Sequence, residues 1–425
     1  MVRPRPLRVK PPPIDSSDVD IEIRPIALDR FEEAMRMLGT SFGEELNRHE
    51  LDAERPIFEV GRNLAAFDGD SIVGHATAYP MELTVPGGTL PAGGITSVGV
   101  LPTHRRRGIG RSLMRTQLDE LHDAGTPLAH LWASETEIYQ RYGYGIGTLT
   151  MAFEIRREHT AYLVASEPRG RTRMLDRDEA FKTIPAVYDA VRPDRPGIPD
   201  RDEHWTKARF RDDERSRDGA GPLFFVAYET EGGVEGHVAY RVKESWDLRT
   251  GPGHTLNVEE LMATTDDAYA ALWRYCFDAD LIRTVEGWKR PVDEPLLYML
   301  ANPRGLGVRI RDGSWLRLVD VPAALEGRTY GTEGGLVLDL RDGFCSWNEG
   351  RWELDAGPDG ATCRSTTKDP DLVLGAGELA SSYLGAVTPG ALGRAGRIEE
   401  RSAGALDRAD AMFASGVAPW CPYIF

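Results

Sequence analysis

Apolar and polar residues alternate over 21–26 (IEIRPI), which predicts a strand. Phe31, Ala34, Met35, Met37 and Leu38 then recur at helical spacing within 28–42, and a more polar helical piece follows over 44–58. Residues 63–67 and 72–79 read as strands joined by DGDS, a hairpin turn signal. Residues 83–85 and Leu90 flank a second turn at Gly87-Gly88. A strand over 94–101 ends at Pro102, and Ile109, Leu113, Leu118 and Leu121 line one face of a helix that Gly125 stops. A strand over 128–133, a short helix over 136–142 and a strand over 148–155 complete the order β-α-α-β-β-β-α-β-α-β. That order predicts an α/β fold: a mixed sheet of about six or seven strands with helices on both faces.

The pattern then repeats. Residues 172–175, 223–229, 236–242 and 254–262 read as strands, 181–191 as a helix, and 265–277 as a helix opened by TTDD, good cap chemistry. A third region begins with a strand over 314–319. In it 335–340 and 344–347 read as a hairpin, 350–354 as a strand, and 373–383 and 407–413 as helices. The division expected is a mobile Pro-rich tail over 1–20, a lobe over 21–157, a second copy over 158–310 and a third domain over 311–425.

Net charge is −16, which argues against a general nucleic-acid binder and suits a cationic partner or plain solubility. The four cysteines, Cys276, Cys345, Cys363 and Cys421, form no CxxC pair, so no zinc or redox site is expected. So few cysteines fit a reducing compartment, and a cytoplasmic location is expected. The basic N-terminus lacks an apolar signal core, and no run of about 20 apolar residues exists to span a membrane.

The chemistry concentrates at 98–113, VGVLPTHRRRGIGRSL. A strand runs into an arginine- and glycine-rich turn that opens a helix. The first helical N–H groups and the positive end of the helix dipole favour a phosphate there, glycines let it approach the backbone, and arginines add charge-assisted bonds. The GK[ST] of a nucleotide-triphosphate loop is missing, and a dinucleotide fingerprint would need one more glycine. In the second copy the corresponding stretch is MATTDD, with no arginine or glycine, so that copy is not expected to hold the same anion.

The run V-x-V-x-P-x-x-R-R-x-G-x-G from Val98 to Gly110 resembles motif A of the GCN5-related N-acetyltransferases. The resemblance implies acetyl-CoA as co-substrate. Its pyrophosphate would lie in a cradle from Arg106, Arg107, Gly108, Ile109, Gly110 and Arg111. Its pantetheine arm would pair with Val98, Gly99 and Val100 where two strands splay. Ser134 and Glu135 would also touch it. With LWASETEIYQRYGYG, a degenerate second lobe, LRLVDVPAAL and a terminal Phe, nearly the whole chain is similar to the Eis (enhanced intracellular survival) family. That implies two tandem acetyltransferase lobes, a sterol-carrier-like C-terminal domain, aminoglycoside-like polyamine acceptors and a homohexamer, with no metal, nucleic acid or membrane partner.

On the same resemblance Tyr139 is the general acid. A phenol of pKa about 10 can protonate the departing thiolate. The α-carboxylate of Phe425 is implied as the base. A free α-carboxyl titrates at about 3.3–3.7, low for that task, and burial raises it. The apolar ending SGVAPWCPYIF fits insertion into the fold. Glu44, Glu45, Asp52 and Glu54 lie near the implied acceptor pocket and read as solvated residues; His104 reads as a surface residue and Trp132 as strand-end packing. Two alternatives stand beside amine acetylation of small molecules: acetylation of a protein lysine or peptide amine, and a non-catalytic module that senses coenzyme A or a lipid.

Overall fold

The computed structural model describes residues 21–164, 167–214, 216–249 and 251–425; the tail expected over 1–20 lies outside the described residues. The first lobe contains β1 (Ile21–Pro25), α1 (Phe31–Phe42), α2 (Arg48–Val60), β2 (Arg62–Asp68), β3 (Ser71–Val85), β4 (Gly88–Val100), α3 (Ile109–Asp123), β5 (Leu128–Trp132), α4 (Thr136–Gln140) and β6 (Gly145–Ile146). Glu32 and Glu33 sit at the positive end of α1, and Gly43 closes it in the left-handed region. Its Phe31, Ala34, Met35 and Met37 face Ala65 and Phe67 of the sheet in one apolar cluster.

The second lobe contains β7 (Leu149–Arg156), β8 (Arg171–Leu175), α5 (Arg177–Val191), α6 (Glu203–Arg209), β9 (Phe224–Thr230), β10 (Gly233–Lys243), β11 (Trp246–Asp247), β12 (Gly251–Pro252), β13 (His254–Ala263), α7 (Asp266–Asp278), β14 (Ile282–Arg290), α8 (Leu296–Met299), β15 (Arg309–Asp312) and β16 (Ser314–Leu318).

The two sheets exchange a strand. The first has the order β1-β2-β3-β4-β5-β16-β6, the second β8-β9-β10-β13-β14-β7-β15. From sequence, 148–155 reads as a strand of the first lobe and 314–319 as the start of the third region. In the structure β7 pairs with β14, and β16 returns to pair with β5. The chains cross where Gly147 and Thr148 donate to the Ser314 carbonyl at 2.9 and 3.0 Å and Gly313 donates back to Thr148 at 2.8 Å. A Cβ on Gly313 would stand 2.5 Å from the Thr148 hydroxyl, so only glycine allows the crossing. Alternation shows that a strand is buried but not in which sheet, and β16 is buried along its whole length.

The third domain contains α9 (Val321–Glu326), β17 (Gly334–Arg341), β18 (Gly350–Gly357), β19 (Gly360–Ser365), β20 (Leu372–Gly375), α10 (Ala376–Tyr383), α11 (Pro389–Arg394), β21 (Glu399–Glu400) and α12 (Ala405–Phe413). Its sheet runs β19-β18-β17-β20-β21. Two expectations are corrected. Residues 373–383 are not one helix, because the LVLG run pairs with β17 before α10 begins. Residues 344–347 are not a strand; β17 pairs with β18 instead. That loop docks on α3, with Phe344 under the Arg115 guanidinium at 4.0 Å and Trp347 stacked on His122 at 4.4 Å. Arg317 of β16 and Asp342 form a fully buried ion pair behind it. One apolar core joins all three parts, from Leu83 through Tyr188 to Leu338 and Phe425.

Candidate active site

The site begins where two parallel strands part. β4 pairs with β5 only from Ala92 to Ile95, against Leu128 to Leu131. β4 continues to Val100 with β3 alone beside it. A bulge marks the parting: the register with β3 shifts between His75 and Thr77, and Ser97 has a φ of 52°. His75 Nδ1 lies 3.1 Å from the Ser97 carbonyl and holds the bulge from the β3 side. Burial pushes the His75 pKa down to about 4, so the ring is neutral and Nδ1–H donates. A Cβ on Gly99 would stand 2.4 Å from the Ser41 hydroxyl and 2.8 Å from Leu38, so this glycine lets α1 close against β4. Val98, Gly99 and Val100 therefore offer a backbone edge on the side that β5 has left.

The turn follows directly. Arg105 is a brace: its Nε donates to the Val100 carbonyl at 3.2 Å and its Nη2 to the Ser41 carbonyl. His104, expected at the surface, is half-buried and tied to Asp68 at 3.1 Å. Arg106 (φ 63°) and Gly108 (φ 83°) both take left-handed backbone, which turns the chain into α3. Gly108 is the N-cap and has no side chain to cap with, so the N–H groups of Ile109, Gly110 and Arg111 open the helix without a side-chain partner. The side chains of Arg106, Arg107 and Arg111 are exposed around them. A Cβ on Gly110 would meet only Val100, at 4.0 Å, so there is space for an anion to reach the backbone. These groups fit a pyrophosphate.

Ser134 and Glu135 are exposed between β5 and α4, beside the parted strands. Tyr139 of α4 is buried with Ile95, Ala129 and Leu131 on the α3 face of the sheet, its ring 5.9 Å from Tyr144. Burial raises its pKa, and a hydrogen bond with Ser134 works the other way. The phenol is thus held protonated, as a proton donor must be. Tyr142 packs on Phe344 at 4.9 Å and Tyr144 is fully buried, both as packing groups.

The other face belongs to the C-terminal segment. Trp420, Cys421, Tyr423 and Phe425 are buried while Ile424 is exposed. The Phe425 ring lies 5.1 Å from His130 of β5 and packs over Gly94, whose Cβ would stand 3.4 Å from it. Tyr139 and Phe425 thus flank the parting point from opposite faces.

A cavity of about 390 Å³ opens on the Phe425 side, between α1, α2, the β4 bulge and α6 of the second lobe. Glu54 lines it; Glu44, Glu45 and Asp52 do not. Glu54, set aside from sequence as a solvated residue, has its pKa raised by burial, with Arg211 at 3.8 Å pulling against that. Tyr79, Trp205 and Arg211 also line this cavity and carry no sequence motif. Only the alternation of β3 could have pointed to Tyr79; nothing local marks the other two. Trp132, read as strand-end packing, sits against the shared core. A larger cavity of about 700 Å³, between Tyr162, Tyr269 and Tyr298 of the second lobe, shares no wall with this one.

The second lobe lacks the turn. Thr265 caps α7 by accepting the Ala268 N–H, and Asp266 and Asp267 stand where an anion would bind. Among the described residues there is no group of three or more His, Cys, Asp or Glu placed to hold a metal, and no helix long and apolar enough to cross a membrane.

Comparison with known proteins agrees with this architecture. Residues 22–147 and 197–318 each match an acetyltransferase (GNAT) domain family, and 321–422 a sterol carrier protein domain family. A Streptomyces avermitilis chain described as an uncharacterized N-acetyltransferase is 42% identical over 88% of this chain and 92% of its own length. The N-acetyltransferase Eis of Mycobacterium tuberculosis is 33% identical over 82% of this chain and 85% of its own. The crystal structure of Eis1 from Mycobacterium abscessus superposes with a TM-score of 0.84 at 33% identity, covering 95% of this chain and all of that one.

Proposed function

The chain belongs to the Eis family of GCN5-related N-acetyltransferases, and from that premise we propose that its first lobe acetylates primary amines of aminoglycoside-like polyamines by direct attack on the thioester. Acetyl-CoA supplies the acetyl group. In this reading Ile109, Gly110 and Arg111 bind its pyrophosphate through backbone N–H groups. Arg106 and Arg107 add charge, Ser134 and Glu135 touch the cofactor near β5, and the β4 edge from Val98 to Val100 orients the thioester. The Phe425 carboxylate receives the amine proton, and the Tyr139 hydroxyl donates its proton to the departing sulfur.

One observation supports this reading above the others: Tyr139 and Phe425 lie on opposite faces of the sheet at the point where β4 and β5 part. Glu54 in the same cavity gives a polycation a second anionic contact. Direct attack is supported by the cysteines. All four are buried with raised pKa values, Cys363 and Cys421 up to about 12, so none is poised as a thiolate nucleophile. Assembly as a homohexamer belongs to the same reading.

The test is thiol release from acetyl-CoA across a panel of aminoglycosides, monoamines and lysine peptides. Release with multi-amine aminoglycosides, falling by about 10² in kcat for Tyr139→Phe, is expected. Turnover of peptides alone, or an undiminished Tyr139→Phe, overturns the reading.

A further inference from the structure

The second lobe carries its own version of the parted strands. β13 and β14 hold the sheet positions of β4 and β5, and their parallel pairing stops at Val258 and Gly287. The register of β13 against β10 shifts beside Glu259, as that of β4 does at Ser97. In the first lobe the edge beyond the parting is bonded at its far end, where Arg105 holds the Val100 carbonyl. In the second it is filled. Arg209 donates to the Glu259 carbonyl, and Arg290 Nη1 donates to the Leu261 carbonyl at 2.7 Å, both on β13. On β14 the Lys289 carbonyl accepts the indole N–H of Trp420.

Trp420 is therefore seated at the second lobe's parting point, and its surroundings fix it further. Its backbone N–H donates to the Pro196 carbonyl at 2.8 Å. Gly197 has a φ of 93°, and a Cβ there would stand 3.0 Å from the Trp420 carbonyl oxygen. Two residues earlier, the Ala418 N–H donates to Asp293 Oδ2 and its carbonyl accepts from Arg195, both at 2.9 Å, while Arg195 and Asp293 pair at 2.8 Å. Beyond Trp420, the Tyr423 hydroxyl donates to the Asp200 carbonyl at 3.0 Å. Five residues reach at most about 18 Å, so an anchor at 420 leaves Phe425 little freedom.

We propose that the second lobe serves as a clamp for the C-terminal segment: the strand gap that holds cofactor in the first lobe seats Trp420 in the second, and this seat holds Phe425 against β4. Trp420, Arg195 and Asp293 are positioning residues, acting through Phe425. The inference rests on the reading that the Phe425 carboxylate serves acetyl transfer.

Two variants of the full-length enzyme test it: Trp420→Phe, which keeps a ring and loses the N–H, and Asp293→Ala, at the surface. Each is treated with carboxypeptidase A, which removes a C-terminal Phe only when the segment detaches, and each is assayed with acetyl-CoA and a multi-amine aminoglycoside. Release of Phe425 about tenfold faster than from wild type is expected. So is a kcat about tenfold lower at unchanged KM for acetyl-CoA. In a chain lacking Phe425 the same substitutions are expected to leave kcat within about twofold, because they act only through that residue. Wild-type release and kcat in both variants overturn the clamp, and so does a kcat loss of the same size without Phe425. Full activity on deleting Phe425 alone overturns the catalytic reading instead, and the release rates then decide the clamp by themselves.

Discussion

Gly94 lies directly beneath the ring of Phe425: a Cβ at this position would stand 3.4 Å from the ring and 2.1 Å from the Met81 methyl. The next residue, Ile95, faces the other way, into the cluster that holds Tyr139. Adjacent residues of β4 thus support the two proposed proton-transfer groups from opposite faces. Gly94→Val overlaps the Met81 methyl, and the larger side chain crowds Phe425 from beneath. The expected result is a kcat lower by about tenfold or more, with KM for acetyl-CoA within about twofold. Steady-state kinetics with both substrates varied checks it.

The proposed function places cofactor binding in the first lobe. Titration calorimetry with coenzyme A is expected to give one site per chain, because Thr265, Asp266 and Asp267 occupy the equivalent helix start in the second lobe. Arg106→Ala and Arg111→Ala each remove a charge beside the α3 N–H groups and are expected to weaken binding by about tenfold.

Glu54 and Phe425 share one cavity. Glu54→Gln is expected to raise KM for a multi-amine acceptor by about tenfold and to leave KM for a monoamine within about twofold. Equal effects on both acceptors would remove Glu54 from substrate recognition.

His75 and His130 are buried with pKa values pushed down to about 4 and about 3. Both are neutral in the folded state where the unfolded chain, with a pKa near 6.5, takes up protons. The unfolded state therefore binds more protons below about pH 6.5, and stability falls as pH falls from there toward the native pKa. Each histidine contributes roughly 1.4 kcal/mol per pH unit to that loss. Among the described residues neither His130 nitrogen has a hydrogen-bond partner, so His130→Phe is expected to cost little at pH 7.5. Between pH 7.5 and 5.5 the variant is expected to lose about 1.4 kcal/mol less than wild type, measured by urea denaturation.

The backbone geometry of the candidate cofactor side was legible in sequence because it is local. Strand, turn and helix start lie within 98–113, and the glycines at 108 and 110 carry their meaning in the backbone. The insertion of the C-terminal segment was legible from its apolar ending. The candidate acceptor cavity was not, because Trp205 and Arg211 come from the second lobe and meet Glu54 only through folding. The exchange of β7 and β16 was hidden for a related reason. Alternation reports burial, while sheet membership is set by long-range pairing and by a crossing that needs Gly313. The break between β20 and α10 was missed because LVLGAGELASSY is apolar at both periods.

Arg317 of β16 and Asp342 tie the third domain to the first sheet. Both side chains are fully buried, and Asp342 also accepts the Cys345 N–H at 2.9 Å. Asp342→Ala leaves the guanidinium charged and unpaired beside Gly143, in the segment that follows Tyr139. A loss of about 3–5 kcal/mol is expected, read as a lowered Tm by calorimetry.

The most direct measurement is the kinetics of a chain extended by one glycine after Phe425, which moves the terminal carboxylate by one residue and leaves the Phe425 ring in its seat. Acetyl-CoA binding is expected to be unchanged, while kcat with a multi-amine aminoglycoside falls by about 10². Wild-type kcat in the extended chain would contradict a catalytic role for that carboxylate.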